Sequence, residues 1–222
     1  MKKIVIFLTV MILVVTGVIS LESQVYGQTN RKVLMFLREG YSVDLDFMVK
    51  MEVGVMTMLL KRAGFQVDVA TYSGWPIAGP TAKIEKVMKL SEMKLDDYVG
   101  IIIPCMAVGD VAVAPEAFAV VKKALADGKP VAAASESVSM LAEAGLLKGK
   151  KYAFWDGDPL KTTATRKKPD PIFVDAIYSG DGVVQDGKII TSGGCPAAER
   201  YLGIQNRTFE LTQTFIAAIG PK

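Results

Sequence analysis

The chain has 222 residues, half of them hydrophobic and 22% charged, with a formal net charge of +3. That composition suits one globular core, and it suggests neither disorder nor a basic nucleic-acid-binding surface. No histidine is present, which excludes Ser-His and Cys-His nucleophile pairs and every His-ligated metal centre.

The chain opens with Lys2-Lys3, continues through an apolar run from Ile4 to Leu21, and then turns polar. This is the pattern of an export signal. Val25-Tyr26-Gly27 places small residues at the −3 and −1 positions, so cleavage is expected before Gln28. Residues 1–27 are then the leader and residues 28–222 one domain. The competing reading is an uncleaved anchor, the only case in which a membrane is a partner, because the apolar run lies near the lower length limit for a span. Either reading puts the domain outside the cytoplasm, periplasmic or secreted. Removing Lys2, Lys3 and Glu22 leaves 24 basic and 22 acidic residues, a balance that names no partner.

Val33 to Leu37 has the length and composition of a buried first strand, and a polar loop follows from Arg38 to Asp46. Apolar Met48, Met51, Val55, Met58 and Leu59 predict a helix from about Leu45 to Ala63, closed by Gly64. Phe65 to Ala70 alternates as a second strand. Tyr72 to Pro80 reads as loop and Thr81 to Leu90 as a lysine-rich helix. Val99 to Ile103 predicts another buried strand, ended by Pro104-Cys105-Met106, and Pro115 to Ala126 a helix capped by Gly128.

Gly128 to Lys150 organises the whole. Val131 to Ala134 is a short run of small apolar residues suited to a parallel strand, Ser135-Glu136-Ser137 turns, and Val138 to Leu147 is amphipathic. A strand, a sharp turn and a helix present Ser135 at the C-terminal edge of a sheet, where ligands and nucleophiles of open α/β folds sit. The element order predicts an α/β fold, a flavodoxin-like, doubly wound, mostly parallel sheet with helices on both faces.

GKPVAAASESVSMLAEAGLLKGK, from Gly128 to Lys150, resembles the nucleophile elbow of the ThiJ/PfpI (DJ-one) superfamily within the class I glutamine-amidotransferase-like folds. Ser135 stands where that family carries its nucleophilic Cys, and Glu136 where it carries a His. Val183 to Ser192 resembles the family's hairpin and strand, and Cys195-Pro196-Ala197-Ala198 its helix start. Gly40 to Met51 is longer than the family pattern, and Asp156 to Pro171 diverges.

The resemblance implies site residues one by one. Glu52, counted back from Gly64, matches the acidic residue that contacts the family's Cys; the alternative is an ordinary exposed helix glutamate. Pro104-Cys105-Met106 replaces a Pro-Gly-Gly whose backbone N–H helps form an oxyanion hole, so Cys105 and Met106 are expected to fill part of the pocket. Trp155 takes the place of a further histidine. Cys-dependent glyoxalase, deglycase and peptidase activities each lose their required groups, and the implied outcome is a degenerate site that binds an unknown small molecule or a partner, with no cofactor and no metal.

Two alternatives stay open. Ser135 could be a nucleophile served by Glu52 or Glu136, or could simply cap the following helix. Cys105 and Cys195, both implied to lie near the elbow, could be bridged, could be two buried thiols, or could leave Cys105 as a reactive thiol. Glu52 and Glu136, if they share the pocket, are expected to titrate as a coupled pair and select cationic or hydrogen-bond-donating ligands. The resemblance also implies a homodimer.

Overall fold

The computed structural model describes residues 31–38, 44–106 and 113–220. The expected leader, residues 39–43, which include the start of the segment expected to be longer than the family pattern, and residues 107–112 lie outside the described residues. The chain runs β1 (Lys32–Phe36), α1 (Leu45–Met48), a π-helical stretch (Val49–Gly54), α2 (Val55–Arg62), β2 (Gln66–Thr71), β3 (Ile77–Ala78), β4 (Lys83–Ile84), β5 (Val87–Lys89), β6 (Tyr98–Ile103), α3 (Pro115–Ala126) and β7 (Val131–Ala134). A 3-10 turn (Ser135–Ser137) leads to α4 (Val138–Glu143), then come β8 (Lys151–Tyr152), β9 (Ile177–Tyr178), β10 (Val183–Asp186), β11 (Ile189–Ser192), α5 (Pro196–Leu202) and α6 (Thr208–Ile219).

Seven strands form one sheet in the order β10-β11-β7-β6-β1-β2-β5. All neighbours pair parallel except the β10–β11 hairpin at one edge. This is the doubly wound α/β architecture that the sequence predicts. Because both faces are covered, the central strands read as continuous apolar runs, and their alternate residues serve opposite layers. Val33 and Met35 of β1 pack with Met56, Leu60, Phe215 and Ile219 of α2 and α6. Leu34 and Phe36 pack with Val121, Leu141 and Phe173 on the other side. Each fully buried side chain of this size contributes about 1.5–3 kcal/mol.

Two predicted helices differ from the observed elements. Thr81 to Leu90 is not a helix: Ile84 pairs with Ile77, and Val87, Met88 and Lys89 extend the sheet beside Val69, Ala70 and Thr71. The Asp46 carboxylate accepts the N–H groups of Thr81 and Ala82 at 2.8 and 2.9 Å, holding the start of this segment extended. The open backbone edge of β2, a tertiary partner invisible to local periodicity, outweighs the weak helical pattern of the lysines. The helix after the elbow ends at Glu143 rather than Leu147, because Gly145 takes a left-handed φ of 71°.

Among the described residues no helix is long and apolar enough to cross a membrane.

Candidate functional site

Ser135 follows β7 with φ 49°, a left-handed conformation for a residue with a side chain. Such a backbone costs about 1–2 kcal/mol, and it concentrates at sites where geometry is imposed by the surroundings. What imposes it here is the next residues: Ser137 is fully buried and its hydroxyl donates to the Pro104 carbonyl, tying the turn to the loop after β6. Ser135 itself is only 3% exposed. No side-chain cap bond is made at the start of either the 3-10 turn or α4, so the capping reading of Ser135 is corrected.

Glu52 lies in the π-helical stretch and is fully buried, not an exposed helix glutamate. Its Oε1 accepts the Cys105 N–H at 2.8 Å and its Oε2 the Met106 N–H at 3.0 Å. Burial pushes the Glu52 carboxyl well above the usual carboxylate range, helped by the nearby Cys105 thiol and opposed by the two N–H bonds and the Arg38 guanidinium. Arg38 also donates to the Cys105 carbonyl at 3.2 Å. The backbone donors that could have formed an oxyanion hole at Cys105 and Met106 therefore already face Glu52.

The Cys105 side chain occupies the elbow. It is buried and lines one pocket with Ser135, Glu136 and Cys195. The thiol is pushed well above the ordinary thiol range, first by the Cys195 contact and then by burial, with the Ser135 hydroxyl and Glu136 N–H pulling the other way. Cys195 is set by its own backbone: a side chain at Gly194 would run into the Gln205 carbonyl, so only glycine fits there, and the Ala198 N–H donates to the Cys195 sulfur at 3.4 Å. Both cysteines are free and buried.

Glu136 does not pair with Glu52. Its Oε2 accepts the Trp155 indole N–H at 2.7 Å. The Glu136 charge is felt instead at Glu143, whose carboxyl is raised by burial and, in smaller part, by Asp170 and Glu136. The expected coupled pair is thus corrected. Two carboxyls flank the elbow, and each is committed to a separate donor set.

Cys105, Ser135, Glu136, Trp155, Cys195 and Tyr201 are among the residues that line a pocket of about 280 Å³. Met106, expected there, is not one of its lining residues; it is buried and its N–H donates to Glu52. A wider cleft of about 700 Å³ opens elsewhere, beside the π-helical stretch and β2, with Lys61, Lys83 and Lys86 on its walls and none of the elbow residues. The smaller pocket holds the chemistry-bearing groups and is the candidate site.

Comparison with known proteins fits this geometry. The family model described as DJ-1/PfpI matches residues 31–203. The chain belongs to the DJ-1/PfpI family. An uncharacterised protein of Archaeoglobus fulgidus is 30% identical over 135 residues, 60% of this chain and 75% of that one. A DJ-1 superfamily protein from Salmonella typhimurium shares the fold with a TM-score of 0.61 at 20% identity, covering 86% of this chain and 91% of that chain. A ThiJ/PfpI domain protein from Brachyspira murdochii gives 0.59 at 15% identity, covering 85% and 95%. Within this DJ-1/PfpI elbow, Arg38 and Ser137 are contacts that sequence reasoning did not single out. A lone arginine after a strand and a serine two residues past the turn carry no local signal.

Proposed function

We propose that this DJ-1/PfpI chain is an exported binding protein whose elbow pocket takes a small, mainly apolar molecule bearing a cationic or hydrogen-bond-donating group. The observation that carries the reading is the double N–H bond from Cys105 and Met106 to Glu52. With those donors engaged and the Cys105 sulfur beside Ser135, a tetrahedral intermediate on Ser135 has neither an oxyanion site in that loop nor a free base beside it. The pocket volume of about 280 Å³ lies just under the usual range for drug-sized ligands, roughly 300–1,000 Å³. That favours a compact ligand. Trp155, Ala197, Ala198 and Leu202 supply apolar walls, and the Glu136 carboxylate supplies the polar end.

Benzylamine is a suitable probe, with benzoate as the charge-reversed control of similar shape. Titration followed by Trp155 emission is expected to give tighter binding of benzylamine, weakened by Glu136→Gln by about tenfold, equivalent to ~1.4 kcal/mol. Equal binding of the two probes, or an unchanged affinity in the variant, would contradict the reading. Export rests on the leader, and a homodimer on the family; sedimentation at micromolar concentration tests the second.

A further inference from the structure

The elbow brings together two cysteines that lie far apart in sequence. Cys105 follows β6 and Cys195 follows β11, the strands on either side of β7. Each sits beyond the C-terminal end of its strand, and both side chains line the elbow pocket. Both thiols are free and buried in the wall of that one pocket. Two thiols in one pocket wall, with no metal-ligand cluster around them among the described residues, can exchange with a disulfide without a third side chain.

We propose that Cys105 and Cys195 form a reversible dithiol–disulfide couple that exchanges with small disulfides entering the elbow pocket. One cysteine thiolate attacks a sulfur of the small disulfide RSSR, forming a mixed disulfide and expelling RS⁻. The second cysteine thiolate attacks the protein-side sulfur of that mixed disulfide, forming the Cys105–Cys195 bond and expelling the second RS⁻. Two protein S–H bonds are lost, one S–S bond is made and one is broken, and the two protons leave with the two RSH products; the protein is oxidised and RSSR reduced. The sulfurs must close to about 2.05 Å. The bond would link the loop after β6 to the start of α5 across the pocket floor, and a disulfide persists in the oxidising compartment that the leader implies. This inference stands on the two sulfurs and does not depend on the pocket's having another ligand.

The test uses the full chain, reduced and then equilibrated with oxidised glutathione, acid-quenched, denatured, alkylated with iodoacetamide and weighed intact. Wild type is expected to carry neither alkyl groups nor glutathione. Cys105→Ser and Cys195→Ser are each expected to hold one glutathione that the remaining cysteine cannot release. Wild type carrying two alkyl groups, a retained glutathione or the mass of a covalent dimer would overturn the proposal. If either variant fails to fold, the wild-type arm alone decides.

Discussion

Glu52 and Cys105 are 53 positions apart, yet the carboxyl of one accepts the backbone N–H of the other at 2.8 Å inside the protein. This bond fixes the loop that carries the Cys105 sulfur against Ser135, so the character of the elbow is decided by a residue on a different layer of the fold.

Glu52 gives the stability a specific pH dependence. Its folded-state pKa lies well above the ordinary value near 4.5, so the stabilisation from the protonated carboxyl is complete below that value and is lost as pH rises through the folded pKa. Denaturant unfolding at a series of pH values should therefore show wild type losing stability relative to Glu52→Gln from about pH 4.5 upward. A constant difference would mean that Glu52 is not held neutral by burial.

Ser137→Ala removes the hydroxyl that donates to the Pro104 carbonyl and leaves that carbonyl without this bond. A loss of about 1–3 kcal/mol is expected in urea unfolding. Freed from its tether, the Cys105 loop should also alkylate faster.

Trp155→Phe keeps the apolar wall but deletes the indole N–H that binds Glu136 at 2.7 Å. Because the pair is only partly buried, the expected cost is about 1 kcal/mol, below the full value for a bond to a charged group. Urea unfolding measures it. A neutral result would mean that water replaces the indole donor without loss.

Export is tested on protein from its native host. Intact mass should show a chain beginning near Gln28 in a periplasmic or secreted fraction. Full-length chain in the cytosol would remove the export proposal.

The strands and the elbow were legible because parallel strands buried on both faces read as uninterrupted apolar runs: Val131–Ala134 and the helix Pro115–Ala126 fall where the pattern puts them. Glu52 was legible only through the family resemblance, which places its acidic residue at a fixed distance before Gly64. The π-helical stretch was not, since the same residues read as an ordinary amphipathic helix, and the Thr81–Leu90 segment was misread because its partner, the edge of β2, is tertiary. The same limit hid the Glu136–Trp155 bond. Position in the motif set both residues beside the elbow, but only packing decides that an indole, rather than Glu52, answers the Glu136 carboxylate.

The central claim is that the elbow binds without acting as a serine nucleophile. Treating wild type and Ser135→Ala with a serine-reactive phosphonate and locating adducts by peptide mass spectrometry tests it most directly. The account predicts no adduct on Ser135 and identical spectra for the two proteins; a stoichiometric adduct on Ser135, absent from the variant, would contradict it.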